Sequence, residues 1–278
     1  MDRLTYQGIE LDAETALALL EWQAEMGVDE AMGDVPADRF QVAAAPPPPL
    51  IAMTPPAAPA LTLTADDDDL PGRVAQAEAL AAQADTLDAL AAAQERFDGI
   101  ELKKGARNFC FADGNPAARV LILGEAPGDE EDRQGRPFVG RAGQLLDRMF
   151  DAIGLSRQSV DAERALYITN VLTWRPPGNR KPNPNEIQTC LPFVERHVEL
   201  VAPEGLMLLG GTSASALLNR TDGIMRLRGR WFEFAPSAAA KPIPVLPTYH
   251  PAFLLRQPAM KRDAWRDLVA FKKKFLVT

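Results

Sequence analysis

Arg119-Val-Leu-Ile-Leu-Gly-Glu-Ala-Pro-Gly-Asp-Glu-Glu-Asp132 decides how the rest of the chain is read. Its first half is an apolar run that stops at Gly124, which reads as a buried strand. Its second half is a Gly/Pro-rich loop crowded with acids, which is turn chemistry. Moving downstream, the same alternation recurs. Val139 to Ile153 has helical periodicity, and Ala165 to Asn170 is a second strand. Pro184 to Val201 is a helix that Pro192 is placed to kink. Gly205 to Leu209 is a third strand, and Gly210-Gly-Thr-Ser-Ala214 opens a short helix. Trp231 to Phe234 reads as an antiparallel addition. Ile243 to Leu246 is a last strand, whose prolines suit an edge or a strand start. Pro258 to Phe275 is the closing helix. Strands alternating with helices imply an α/β fold in three layers, α/β/α, with a mainly parallel four-stranded central sheet.

Upstream the texture changes. Residues 72–97 are rich in Ala and Leu and read as one helix, Val74 to Phe97. Residues 31–71 form a Pro/Ala-rich acidic stretch, with Ala43 to Ala60 almost entirely Ala and Pro and four acids at Asp66 to Asp69. Such a composition buries too little apolar surface to offset ordering entropy, so a disordered linker is expected. Residues 1–30 hold a short amphipathic pattern, Leu17, Leu19, Leu20, Trp22 and Met26, expected to be helical. The chain therefore divides into a helical segment (1–30), a linker (31–71) and a catalytic domain with a leading helix (72–278).

The net charge of −8 argues against nucleic acid until its distribution is examined. Residues 1–98 hold 4 Lys+Arg and 19 Asp+Glu, a net of −15, whereas residues 99–278 hold 26 and 19, a net of +7. An acidic front and a basic rear point to nucleic acid for the rear half. The partner of the acidic front stays unknown. Met1 to Glu14 has neither a basic start nor an apolar core, and Pro46 to Leu63 is broken by prolines. Neither a secretory signal nor a membrane span is expected, and a cytoplasmic location is. Cys110 and Cys190 are the only cysteines and are expected to be reduced thiols.

In a parallel α/β sheet, function gathers beyond the carboxyl ends of the strands. That rule selects Gly124 to Phe138, Asn170 to Pro184, Gly210 to Ser213 and Thr248 to Arg256. These loops carry Gly124-Glu-Ala-Pro-Gly-Asp-Glu-Glu-Asp132 with Gly135-Arg-Pro-Phe-Val-Gly-Arg-Ala-Gly143. They also carry Thr169-Asn170-Val171 with Arg175-Pro-Pro-Gly-Asn-Arg180, and His250-Pro-Ala-Phe-Leu-Leu-Arg256. In order and spacing these three blocks resemble the motifs of uracil-DNA glycosylases of the iron–sulfur type (family 4), over about residues 96–275. The resemblance implies uracil-containing DNA as the partner and hydrolysis of the N-glycosidic bond as the reaction. It also implies roles. Phe138 stacks on the base, and Ala126, Pro127 and Asn170 complete the base pocket, with Asn170 rejecting cytosine. His250 stabilises charge on the departing uracil. Arg175, Arg180, Ser213, Leu254 and Arg256 face DNA.

Physical chemistry runs beside this. Cleaving the bond builds positive charge on the sugar and negative charge on the base, so donors and carboxylates are both needed. The flipped base needs a pocket and an aromatic platform. A carboxamide offers one donor and one acceptor to a base edge. Residue types alone do not say whether Phe138 is core, whether Asn170 bonds its own backbone, or whether His250 is structural. Nor do they choose among Glu125, Asp129 and Glu131 as the acid that activates water. The resemblance favours Glu125 and Glu131, and Asp132 suits a capping role. His197, inside a helical run, is assigned a structural role.

The chain departs from the resembled family in its cysteines. Of the four that hold the cluster, only Cys190 has a counterpart. Trp174 stands at another position, and Phe97 to Arg107 contains none. An iron–sulfur cofactor is expected to be absent, with an apolar patch around Ile100, Trp174 and Cys190 in its place. Rival functions are a glycosylase for hypoxanthine or xanthine, a non-catalytic lesion-binding module, and a nucleotide-binding oxidoreductase or transferase. For the last, Gly210-Gly-Thr-Ser213 could hold phosphate, but no Gly-x-Gly-x-x-Gly follows the first strand.

Overall fold

The computed structural model describes residues 4–6, 9–11, 69–237 and 240–275. The chain falls into two units, Met1–Thr62 and Leu63–Thr278. In the first, β1 (Leu4–Tyr6) and β2 (Ile9–Leu11) pair antiparallel, with Thr5 opposite Glu10. These are strands inside the segment expected to be helical. Leu17 to Met26, on which that expectation rested, lie outside the described residues, as does nearly all of the linker.

The second unit begins with α1 (Leu70–Ala82) and α2 (Leu87–Arg96). The single helix expected over Val74 to Phe97 is thus two. Thr86 is extended, and its hydroxyl accepts from the Ala89 amide at 3.1 Å, which starts a new helix. The linker's last residues, Leu70 and Pro71, already belong to α1. Proline is tolerated in a first helical turn because that amide lacks a helical partner anyway.

Four parallel strands form the heart of the sheet: β4 (Val120–Gly124), β5 (Tyr167–Asn170), β6 (Gly205–Leu209) and β8 (Ile243–Thr248). Antiparallel strands β3 (Ala112–Gly114) and β7 (Phe232–Phe234) close the edges, giving six strands in the order β3-β5-β4-β6-β8-β7. β7 was expected; β3 was not. Ala-Asp-Gly has no strand signature, and it is ordered by pairing with Tyr167–Thr169. β8 is not an edge strand, which corrects the inference from its prolines. They are tolerated for local reasons. Pro244 precedes the pairing with β6, which starts at Val245. The Pro247 carbonyl accepts from the Gly229 amide, so its nitrogen also faces that side, beyond the end of three-residue β7.

Alternate residues of each strand face opposite layers. Leu121, Leu123, Leu206, Leu208 and Val245 pack with α1, α2, α5 (Pro184–Val201) and α6 (Gly211–Leu218). Val120, Ile122, Ile168, Met207 and Leu246 pack with Leu146 and Phe150 of α4 (Arg141–Asp151) and with Leu268 and Phe271 of α9 (Lys261–Phe275). This is the expected three-layer α/β/α arrangement. α5 runs through Pro192 without ending. Three short helices complete the unit: α3 (Asp129–Gln134), α7 (Ile224–Leu227) and α8 (Pro251–Arg256).

Candidate active site

The loops after β4, β5 and β8 enclose a cavity of about 440 Å³. Glu125, Ala126, Pro127, Glu131, Phe138, Asn170, Arg180, His250 and Arg256 all line it. Nine of the twelve residues singled out from the sequence therefore meet at one place.

Asn170 ends β5 and is buried, and its Oδ1 has no hydrogen-bond partner among the described residues. A buried, unpaired carbonyl is costly, which marks it as an acceptor held ready for a ligand donor. Gly124, beside it on β4, makes room: a Cβ there would lie 2.3 Å from Asn170 Oδ1 and 2.5 Å from Phe138 Cζ. Phe138 is buried and adopts a left-handed backbone, φ 55°. Its ring lies 5.5 Å from the His250 ring at 30°. The position is packed tightly from behind, since a Cβ on Gly143 of α4 would sit 1.7 Å from the Phe138 carbonyl oxygen.

His250 caps α8. Its Nδ1 accepts from the Ala252 amide at 3.1 Å. The ring proton therefore resides on Nε2, as a donor. Burial, with help from the nearby Arg256 cation, pushes its pKa down to about 4. At neutral pH the imidazole is an uncharged donor. His197, by contrast, is buried between Phe111 (stacked at 4.4 Å) and the Tyr167 hydroxyl (3.0 Å), far down to about pKa 3 through burial. It has the structural role assigned to it.

The acids sort themselves by their partners. Glu131 Oε1 accepts from the Val139 and Gly140 amides, both at 2.9 Å, and its Oε2 from the Gly128 amide at 3.1 Å. These bonds occupy both oxygens and tie the Phe138 loop to α3, so Glu131 holds the pocket wall and is corrected from a water-activating role. Asp129 is ion-paired to Arg175 at 2.7 Å and to Arg133 at 2.5 Å. Asp132, buried, accepts from the Arg107 and Asn108 amides far upstream, so it ties an earlier loop to α3 and does not cap the turn that follows it, the role the sequence had suggested. Glu125 lines the cavity, and its carboxylate has no hydrogen bond or ion pair among the described residues. Among the acids of this loop it is the one whose carboxylate stands without a partner among the described residues.

Three DNA-facing assignments need correction. Leu254 is buried with Leu145, Tyr249 and Ala264, so it is core and no wedge; its neighbour Phe253 lines the cavity instead. Ser213 is fully buried, and its hydroxyl donates to the Gly210 carbonyl. Arg175 turns inward to Asp129 and to Asn179 Oδ1, bracing one loop against another. Arg180 reaches the cavity but is held by Glu186, itself locked into the capping box that starts α5. Arg256 is exposed on the rim, and no ion pair holds it among the described residues. What the residue pattern alone could not reveal is Arg157, whose role emerges only from its contacts.

Ile100, Trp174 and Cys190 are all buried in one core, where Trp174 packs on Phe109 at 4.9 Å. Burial pushes the Cys190 thiol up to about 12, which keeps it protonated and a poor ligand. Cys110 donates to the Glu131 carbonyl at 3.2 Å. Two thiols cannot supply a four-thiolate site, so the residues present do not fit the cluster.

Geometry by itself defines a class: an α/β/α protein whose strand-end pocket offers a planar heterocycle an aromatic wall, an open carboxamide and a neutral imidazole. The Uracil DNA glycosylase superfamily profile matches residues 111–269, and the chain belongs to that superfamily. The chain is similar to the type-4 uracil-DNA glycosylase of Pyrobaculum aerophilum, 36% identical across 63% of this chain and 87% of the relative. It is likewise similar to that of Archaeoglobus fulgidus, 38% identical across 62% and 83%. The type-4 enzyme of Saccharolobus solfataricus is 37% identical across 68% and 86%.

Proposed function

We propose that this protein is a monofunctional DNA glycosylase that excises uracil and leaves an abasic site. The observation that carries the reading is the unpaired, buried Oδ1 of Asn170, a residue that lines a cavity walled by Phe138. Uracil presents N3–H to an acceptor, with a carbonyl beside it for the amide Nδ2 donor. Cytosine presents an N3 lone pair to the same oxygen and leaves it unsatisfied, which costs several kcal/mol in a buried site. Phe138 supplies the stacking face for the flipped base.

As the C1′–N1 bond breaks, its electron pair moves onto the uracil ring. His250 Nε2–H donates to the base oxygen on which that charge collects. The Glu125 carboxylate supports the cationic sugar and takes the proton of the water that adds to C1′. Arg256 supplies phosphate contact at the rim. No step draws on a metal, and the pairing of few cysteines with a filled core supports a cluster-free enzyme. Among the described residues no helix is long and apolar enough to cross a membrane. Buried thiols at Cys110 and Cys190 that are not joined in a disulfide suit a reducing cytoplasm.

Oligonucleotides carrying single uracil, hypoxanthine or xanthine residues, treated with alkali after incubation, test the activity. Strand breaks at uracil are expected; breaks confined to the purine lesions, or lesion binding without breaks, would replace the reading. Purified protein should be colourless and iron-free, and a brown preparation with stoichiometric iron would overturn the cluster-free assignment.

A further inference from the structure

Phe138 is held in a conformation that a bulky residue adopts only under constraint. A left-handed backbone costs such a residue on the order of 1–2 kcal/mol, so its surroundings must impose it. The imposing groups can be identified. The Pro137 carbonyl belongs to the peptide plane before Phe138, and the Phe138 carbonyl to the plane after it. Arg157, with its side chain only 8% exposed, donates to both: Nη1 to Pro137 O at 3.0 Å and Nη2 to Phe138 O at 2.9 Å. Fixing both planes fixes φ and ψ together. On the opposite edge of the second plane, the Val139 amide is held by Glu131.

Arg157 is itself held on its other side. Its Nε donates to Asp147 of α4 at 2.8 Å, and Nη1 pairs with Asp113 of β3 at 3.0 Å. The guanidinium fork thus links a sheet edge, a helix and the strained turn that aims the stacking ring. Lysine has one nitrogen and cannot span these partners.

We propose that Arg157 is a positioning residue for base excision, acting through Phe138: it locks the turn so that the ring stands against Gly124 and His250 as the wall on which the flipped base stacks. The proposal rests on the glycosylase reading above. If Arg157 is lost, the turn relaxes toward an ordinary backbone and the ring leaves its place. A misplacement of about 1 Å in such a site costs on the order of 100-fold in rate.

The test is a double-mutant cycle with Arg157→Lys, Phe138→Leu and the combined variant, read as single-turnover excision under conditions that saturate the DNA. Arg157→Lys alone should lose about 30- to 100-fold in rate, an estimate from the same misplacement scale. Its DNA affinity should change less than twofold, and inhibition by free uracil should weaken. In the Phe138→Leu background, Arg157→Lys should have little further effect, because the ring through which it acts is gone. Additive losses, or an unchanged rate in folded Arg157→Lys, would overturn the proposal. A melting curve for each variant shows whether it is folded, and Arg157→Gln serves in place of Arg157→Lys should the latter be unfolded. Wild-type excision of uracil tests the glycosylase reading separately. Should the wild type act on another deaminated base, the same cycle is read with that base, since the claim concerns the ring and not the lesion.

Discussion

Replacing His250 separates two tasks that the structure assigns to one ring. Nδ1 accepts the Ala252 amide and so caps α8, while Nε2–H is the donor to the leaving base. His250→Ala removes both. Losing the cap costs about 1 kcal/mol of stability. Losing a donor that acts only in the transition state costs about 100- to 1000-fold in rate, or roughly 3–4 kcal/mol. His250→Asn should separate the effects, because asparagine caps a helix well but its shorter side chain does not reach the base. Its melting temperature should recover toward wild type while its single-turnover rate stays about 100-fold down. DNA affinity and its salt dependence should hardly change in either variant, as phosphate contacts are untouched. The pH profile adds a sign. Burial holds the imidazole pKa near 4, so the neutral donor is complete at pH 7, and the rate should not fall as pH rises from 6 to 8. Single-turnover excision across that range, with titrations at several salt concentrations, makes the measurements. If His250→Asn excises at close to the wild-type rate, the leaving-group role is wrong. A rate that drops about tenfold per unit above pH 6.5 would instead mean that the charged imidazolium is required.

The other predictions concern specificity, the rim and acid stability. Asn170→Asp should slow uracil excision by about 100-fold, since a carboxylate repels the uracil carbonyl, and should gain activity on cytosine through its amino group; cleavage of paired uracil and cytosine oligonucleotides measures both. Arg256→Ala should weaken DNA binding and flatten its salt slope by about one charge with the saturated rate little changed, as binding titrations would show. Leu254→Ala should instead lower stability by about 2–4 kcal/mol in denaturant unfolding, because the residue is core. His197 is kept neutral in the fold, its pKa lowered by burial to about 3. The fold should therefore be at full stability above the unfolded value near 6.5 and lose up to about 1.4 kcal/mol per pH unit below it. His250 adds to this loss down to about pH 4. Unfolding curves from pH 7 to 4 should be less steep in pH for His197→Gln, and an identical slope would remove His197 from the account.

Local sequence determined the parts that depend on near neighbours. An apolar run such as Val120 to Leu123 has few alternatives to a buried strand, and the first three runs end at or just before a Gly or Asn (Gly124, Asn170, Gly210) where a loop starts. The strand-end rule selected the loops that carry Phe138, Asn170 and His250, and the motif resemblance assigned all three to one site before any contact was known. Tertiary structure decided everything that depends on what a side chain meets. Leu254 and Phe253 are adjacent in α8, yet one is core and the other faces the cavity, since a turn of 100° per residue points them apart. Glu125 and Glu131 are the same residue type in the same loop, but three amides claim Glu131 and none claims Glu125. Arg157 carries no motif and lies about 20 residues beyond the turn it holds, while Asp113 lies 44 residues away from it. Hydrogen-bond partners of polar side chains are chosen by the packed fold, at sequence separations where residue pattern carries no signal.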